Sequence, residues 1–355
     1  MVDINTPAIP STVELRFDGA RYGFWQSVDI RESIDDLCHS VRLSLSGDGS
    51  GAALPLSANT VVSVLVDGEL AATVRPDSYH RHVDDKSHTI NFEGRSLARE
   101  LVDCQYSKTL NGLRLGELVK RVCETFKVPV KVVGETAVVP HFSMQCEMPS
   151  NALLNAVRAA NLLLYSAPDG GLILTPPDNS SAVATLVYGE HFKSYSVVDD
   201  YRQRYSDYVI KSFDYDCALE GELAIKGAAK DGGISYFRPM HIIADKHGHA
   251  IGACQRRAEL ERNRRMARAF RIDLVVPGYR HAGGLWSVNT QVRVVIPPEG
   301  IDGVFLIGER SFSRSDSGGS VTHLQVMPRD AFIGEEKLRR KHKAGVRSAA
   351  PAETK

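Results

Sequence analysis

Residues 1–94 alternate apolar and polar side chains in several short runs. The two-residue period is clearest over residues 13–17, 41–45 and 62–66, where every second residue is Val, Leu or Phe. This period is typical of half-buried β-strands. Asp18-Gly19 and Asp67-Gly68 follow two of these runs, and Asp-Gly pairs favour tight hairpin turns. The pattern predicts a first small β-barrel or sandwich of short antiparallel strands over residues 1–94.

From Gly94 the spacing changes to that of helices. Ser96 is predicted to cap a short helix, and apolar residues at 115, 118, 119, 122 and 126 recur with a period of 3.6 residues. Ser150 is predicted to cap another helix whose apolar face extends to Leu164, and short apolar runs near 130–133 and 172–174 predict strands. Residues 95–182 therefore read as an α+β domain.

Alternation returns at 183–213 and resumes at 271–333. Between these stretches, residues 214–270 contain a polar Gly-rich segment and an Arg-rich helix from about Cys254 to Phe270. The chain is therefore predicted to be mainly β with α+β domains: two small antiparallel β-barrels, the second interrupted by an inserted domain at 214–270. No apolar period continues beyond Leu338, so 334–355 is predicted to be a flexible basic tail.

The composition narrows the functional classes. The 355 residues are 43% hydrophobic and 24% charged, with zero formal net charge, which fits a soluble globular protein of several domains. The balanced charge gives no general reason for a polyanion partner. The first residues lack the features of an export signal, and no apolar run approaches the length of a membrane span. We therefore expect neither export by a standard signal nor a membrane span.

Enzyme and metal signatures are missing from the sequence. It contains no P-loop, no dinucleotide fingerprint, no H-E-x-x-H and no G-x-S-x-G. The six cysteines are widely spaced, which favours reduced thiols. The histidine pairs 80/82 and 247/249 have a spacing that two metal ligands on a strand could use, but solvated loop histidines fit their polar surroundings better. We predict no enzyme activity, no catalytic or metal-binding residue and no cofactor.

The Arg-rich helix allows three interpretations. Its arginines could be solvated and paired with Glu259 and Glu261, could lie in a subunit interface, or could follow nucleic-acid phosphates. The C-terminal cations could likewise promote solubility only, or could dock on an acidic surface of a neighbouring protein. The candidate subunit or partner interface residues are Arg256, Arg257, Arg262, Arg265, Arg268, Lys337, Arg339, Arg340 and Lys341.

Five strings, taken in order, carry a family resemblance. None of them is a catalytic signature, so their specificity lies in their number and order along nearly the whole chain. The strings occupy residues 94–104, 201–211, 238–245, 285–286 and 328–332. In this order the chain resembles the baseplate hub proteins of contractile-tailed phages such as Mu, and also the hub portion of type VI secretion spikes.

The resemblance implies a structural protein of the virion tail. Such hubs are homotrimers in which each chain contributes two similar barrels, so that a ring adapts the sixfold tail tube to the threefold central spike. The implied partners are other copies of this chain, the spike, the tail tube or tape-measure protein and other baseplate proteins, after assembly in the host cytoplasm. No specific nucleic-acid binding is expected. The alternatives are a nucleic-acid-binding β-barrel protein and a tail-associated cell-wall hydrolase.

Overall fold

The first part of the chain folds into seven β-strands. The computed structural model describes residues 12–23, 25–46, 56–84, 88–213, 224–243, 251–315 and 319–332. Asp67 and Gly68 both have positive φ, at 51° and 81°, and they turn one strand back on the next as predicted. The strands are β1 (Val13–Phe17), β2 (Ala20–Tyr22), β3 (Ser27–Ser33), β4 (Ser40–Ser46), β5 (Val62–Val66), β6 (Glu69–Val83) and β7 (His88–Ser96).

The second part is a mixed α and β unit with its own apolar core. Helices α2 and α3 pack their apolar faces inward, with Leu118, Val122, Leu153 and Val157 all buried. The elements are α1 (Arg99–Asp103), β8 (Tyr106–Arg114), α2 (Leu115–Thr125), β9 (Val130–Val132), β10 (Val138–Glu147), α3 (Pro149–Ala159), β11 (Leu163–Ser166) and β12 (Leu172–Thr175).

Several local predictions in this unit were wrong. Ser96 ends β7 instead of capping α1, and Ser150 lies inside α3, because Met148 is the N-cap and Pro149 occupies the first turn. Proline is favoured there since it lacks the N–H that would otherwise be unsatisfied. Leu164 lies in β11, beyond the end of α3. The antiparallel pair β8–β10 was not predicted, because most positions of both strands are exposed or only partly buried and neither strand alternates clearly between apolar and polar residues.

The third part contains most of the remaining strands and the longest helix. The elements are β13 (Ala184–Val187), β14 (Ser194–Asp199), β15 (Asp207–Phe213), β16 (Ala224–Lys230), β17 (Pro239–Ile243), α4 (Ile251–Arg268), β18 (Phe270–Pro277), β19 (Arg280–His281), β20 (Gly284–Leu285), β21 (Gln291–Ile296), β22 (Ile301–Ser315) and β23 (Gly319–Met327).

Strand β15 does not join the other strands of the predicted second barrel. It lies between β16 and β17 in a separate three-stranded sheet, antiparallel to β16 and parallel to β17. This sheet carries α4 on one side, where Ile210, Ala229 and Ala258 form a small apolar core. By strand pairing, residues 207–213 therefore group with the inserted segment.

Thirteen strands form one large sheet that runs through both predicted β units. Its main path is β14-β18-β23-β22-β3-β4-β7-β6-β5-β1-β2, and β21 pairs with both β22 and β13. Over the described residues, these pairings form an open path, so they do not show the two closed barrels expected from the sequence. The fold is mainly β, and the two units are joined where β3 pairs with β22.

A buried ionic group lies at this joint. Arg310 on β22 stands directly opposite Glu32 on β3, and its Nη2 donates a hydrogen bond of 2.7 Å to Glu32 Oε2. His39 Nε2 lies 3.1 Å from the other carboxylate oxygen of Glu32. Burial by itself raises the pKa of Glu32, but the charges of Arg310 and His39 and their hydrogen bonds outweigh it and lower that pKa to about 2.

Candidate subunit interface

Helix α4 is held against the three-stranded sheet by a very close approach. A Cβ at Gly227 of β16 would lie 2.2 Å from the carbonyl carbon of Cys254, so only glycine fits at this position. Cys254 and Ala258 lie on the buried face of the helix. The side-chain oxygen of Gln255 accepts a hydrogen bond from the N–H of Ala228, and its Nε2 donates one to the carbonyl of Ala228. The rest of the helix surface therefore faces away from this sheet.

Two of the predicted interface arginines share one acidic partner. Glu261 is buried and lies 2.9 Å from Arg257 Nη2 and 3.5 Å from Arg265 Nε. Arg265 also donates a hydrogen bond of 2.9 Å to the side-chain oxygen of Gln203. Intrachain pairing with Glu261 is thus confirmed for these two residues, as one of the three interpretations of the helix expected.

Arg268, at the end of α4, ties the helix to other parts of the chain. Its Nη2 donates a hydrogen bond of 2.7 Å to Asp35, and its guanidinium lies 5.6 Å from the centre of the Phe332 ring. Arg262 bonds the side-chain oxygen of its neighbour Asn263 at 3.0 and 3.1 Å. Arg265 and Arg268 thus stabilise this chain itself, whereas the hydrogen bonds of Arg262 within the described ranges go to its neighbour Asn263.

Arg256 and Arg264 have different surroundings. Arg256 is exposed, and no other residue in the described ranges gives it a hydrogen bond or an ion pair. Arg264 is partly buried, and its Nε has no hydrogen-bond partner. Burial lowers the pKa of Arg264 to about 10, and the charges of Arg268 and Arg257 act in the same direction. Arg264 was not among the predicted interface residues, because only the tertiary packing shows that it is desolvated.

These arginines form one wall of an open groove. The groove has a volume of about 1690 Å³ and separates α4 from α3 and β10, with Gln203 and Ile243 at its edge. Small-molecule sites usually have volumes of roughly 300–1,000 Å³. The groove is therefore large enough to receive part of another protein. The apolar side chains along it include Val138, Val139, Ala152, Ala156, Ala159 and Leu260.

Three protein-family models match this chain. One describes the N-terminal domain of proteins similar to GpP, the baseplate assembly protein of phage Mu, and it matches residues 12–96. Another describes the second domain of gp44-like baseplate hub proteins, and it matches residues 98–176. The fourth domain of Mu phage baseplate assembly protein GpP matches 251–335. Together these ranges cover well over half of the sequence. The chain belongs to the Mu-like phage baseplate hub family.

Relatives along the whole length agree with this assignment. The hub is 27% identical to the baseplate hub protein gp44 of Escherichia phage Mu, over 94% of this chain and 92% of that protein. It is 26% identical to the 43 kDa tail protein of prophage MuSo2 from Shewanella oneidensis, covering 90% of this chain and 99% of that one with a TM-score of 0.79. The protein is thus a tail baseplate protein of the virion.

A more distant structure shares the fold alone. The E. coli c3393 protein, described as a type VI secretion component with structural similarity to T4 tail proteins gp27 and gp5, has 9% identity and a TM-score of 0.54. That structure covers 88% of the hub, and the hub covers 76% of it. The resemblance to type VI secretion components predicted from the sequence is therefore supported at the level of fold.

The remaining predicted sites lie away from this groove or outside the described residues. Lys337, Arg339, Arg340 and Lys341 lie outside the described residues, as do His247 and His249. His80 and His82 lie on β6, and the ring of His82 is 3.3 Å from Asp84 Oδ2. Within the described ranges, no three His, Cys, Asp or Glu residues are grouped as metal ligands would be.

The helices and cysteines add two further findings. None of the helices in the described part of the chain is both long and apolar enough to cross a bilayer. Cys38, Cys104, Cys123, Cys146 and Cys254 are free thiols, whereas Cys217 lies outside the described residues.

Proposed function

We propose that this hub assembles into a homotrimeric ring that adapts the sixfold tail tube to the threefold central spike. The observation that carries the proposal is the pair of β units joined through β3 and β22 in each chain. Three such chains would present six related β units around the ring, matching a sixfold tube on one face and a threefold spike on the other. The ring would be closed, and its contacts would be repeated from copy to copy.

The proposal includes a division of the chain into domains. We assign 1–94 to the first β-barrel, 95–182 to the α+β domain, and 183–206 with 271–333 to a second barrel that an insertion interrupts, in place of the 214–270 insertion expected from the sequence. The pairing of β15 with β16 and β17 favours moving the boundary of the insertion back to about residue 206. Similarity of the two β units is what would make six positions around the ring nearly equivalent.

The subunit interface in this proposal is the groove wall formed by α4. Arg256 and Arg264 form no ion pair with a carboxylate in the described part of the chain. Arg257 lies beside them and shares the carboxylate of Glu261 with Arg265. Arg264 is desolvated without an ion pair, so an interface that offers it a carboxylate or an aromatic face would be stabilised. Arg262, Arg265 and Arg268 would support the helix instead of meeting the neighbouring copy directly.

The hub would act by assembly and not by catalysis. Its other partners would be the central spike, the tail tube or tape-measure protein and neighbouring baseplate proteins, and it would assemble in the host cytoplasm before it enters the virion. The basic segment 334–355 would dock on an acidic surface of a neighbouring tail protein. Truncation after Gly334 should then leave the trimer intact and make spike or tube assembly slower and less dependent on salt. Loss of the trimer on truncation would contradict this role.

The mass of the purified protein tests the proposal. Light scattering at micromolar concentration should give three times the chain mass, and electron microscopy should show closed rings. Arg256→Glu combined with Arg264→Glu should shift the mass toward that of a single chain, whereas the control Arg121→Glu, on an exposed face of α2, should not. A wild-type protein that remains a single chain at these concentrations would contradict the trimeric hub.

A further inference from the structure

Three aromatic side chains are exposed on two segments that a hydrogen bond from Arg238 to Arg202 joins, and the first segment borders the groove at Gln203. Phe237 is 83% exposed, and Tyr236 and Tyr201 each have more than half of their surface exposed. Tyr201 begins a short 3₁₀ turn, Tyr201–Gln203, and the other two lie in the loop between β16 and β17. We call these three residues the aromatic knob. A phenylalanine this exposed leaves nearly all of its apolar surface in water.

The loop that carries the knob is fixed at its start. Arg204 donates two hydrogen bonds of 2.8 Å to the carboxylate of Asp231, which is buried, and the N–H of Gly233 donates another to Asp231 Oδ1. A Cβ at Gly233 would lie 2.5 Å from Arg204 Nη2, so a larger residue there would have to displace the guanidinium that bonds Asp231. Ile234 is buried beneath the loop.

The end of the loop is fixed as well. The N–H of Arg238 donates to Ser206 Oγ at 2.8 Å, and the N–H of Ser206 donates to Arg238 O at 2.9 Å. Arg238 Nη2 donates a hydrogen bond of 2.7 Å to the carbonyl of Arg202, which joins this loop to the turn that holds Tyr201. The knob is thus held in place before any partner arrives.

Such a surface has the chemistry of a protein-binding hot spot. Tyrosine, phenylalanine and arginine are enriched at the centres of interfaces, where large side chains fill pockets on the partner. Because the loop is already ordered by Asp231 and Ser206, little conformational entropy would be lost when it binds. The knob therefore requires a partner with a concave surface that suits aromatic rings.

The groove on the same chain has these properties. Its apolar lining includes Val139, Ala152 and Ala159, and its α4 wall offers the guanidinium groups of Arg256 and Arg264. Arginine is attracted to the faces of aromatic rings. The knob region already uses this contact, with Arg204 over Tyr201 at 5.6 Å and Arg238 over Tyr205 at 5.3 Å. A ring entering the groove would cover the two arginines without needing a carboxylate.

We infer that the aromatic knob of one copy enters the groove between α3 and α4 of the next copy. A closed ring of three identical chains needs two different complementary surfaces on each chain, and the knob and the groove are such a pair. This inference rests on the proposed trimer and names the occupant of its interface. The occupant is a second copy of this chain, bound through aromatic and apolar contacts.

Photocrosslinking tests the inference directly. p-Benzoyl-phenylalanine replaces Phe237 in ¹⁴N-labelled full-length chain, which is assembled with ¹⁵N-labelled wild-type chain and irradiated. Mass spectrometry should then find residue 237 of the light chain joined to heavy peptides from 137–160 or 254–269. The isotope labels separate these links from links within one copy. A trimer whose links between copies lie elsewhere, or that forms none, would overturn the inference.

A second measurement separates this inference from the proposed ring. Phe237→Ser with Tyr236→Ser should raise the concentration at which trimers dissociate by about tenfold or more. The control Val83→Ser, which alters another apolar side chain that is 67% exposed, should not change it. Unchanged trimers in the knob variant would overturn the knob contact and leave the hub ring standing. A wild-type protein that never trimerises would instead reject the ring itself.

Discussion

Arg310 and Arg264 are both withdrawn from water, yet their surroundings differ. Arg310 lies at the joint of the large sheet, where its side chain is 3% exposed and Glu32 accepts its hydrogen bond. Arg264 lies on the groove wall, where no described residue forms a hydrogen bond or ion pair with its guanidinium and other arginines lie near it. Inside the sheet the chain supplies its own counter-charge. On the groove wall the described residues supply no ion pair for this partly buried cation.

The difference follows from how each position is built. Strand register places Arg310 opposite Glu32, so a single pairing between β22 and β3 brings both charges together. Helix α4 instead repeats arginines on successive turns and offers the buried Glu261 to two of them. A buried cation whose partner is removed is costly, so a variant that breaks the pair at the joint should be far more destabilising than one that removes Arg264.

The largest expected effect is the loss of the buried pair at the joint. Glu32→Gln should lower the free energy of unfolding by about 3–5 kcal/mol, because it leaves Arg310 buried without a counter-charge. Urea denaturation of the full chain measures this change. The control is Asp302→Asn, which breaks the solvent-exposed pair of Arg293 and Asp302 and should leave the free energy of unfolding almost unchanged. Equal losses in the two variants would contradict the special role of the joint.

Acid should weaken the same joint. The pKa of Glu32 is lowered from 4.5 to about 2 in the folded protein. A lowered pKa contributes stability that is present above the unfolded value and is lost as the pH falls from about 4.5 to about 2. The loss attributable to Glu32 should be about 3 kcal/mol. Denaturation across this pH range should show a smaller acid dependence in Glu32→Gln than in wild type, and equal dependence would count against the assignment.

The smallest effect on the single chain is expected at the groove. Arg264→Met should change the free energy of unfolding by no more than about 0.5–1 kcal/mol. The substitution removes a desolvated cation and breaks no hydrogen bond or ion pair with the described residues. The same variant should weaken the trimer, since the groove then offers one guanidinium fewer to the knob. Unfolding below the dissociation concentration and light scattering above it measure the two effects separately. A loss of chain stability as large as in Glu32→Gln would show that Arg264 supports the fold.

The sequence by itself determined the local elements and the family. Alternation and the Asp67-Gly68 turn predicted β5 and β6, and helical spacing predicted α2 and α4. These features depend on the preferences of neighbouring residues, so a short window of sequence contains them. The ordered strings from residue 94 to residue 332 were enough to predict the Mu-like hub family, which the family models confirm.

Only the tertiary structure decided how the elements meet. The pair of Glu32 and Arg310 joins residues 278 positions apart, and no local pattern specifies which strand lies beside β3. Likewise, the sequence shows that α4 is rich in arginine, but it does not show what each arginine contacts. Packing decides that Arg268 binds Asp35 and that Arg264 is desolvated beside the groove. Long-range register and burial depend on the whole chain, and they decide which charges the fold pairs and which it leaves without an ion pair.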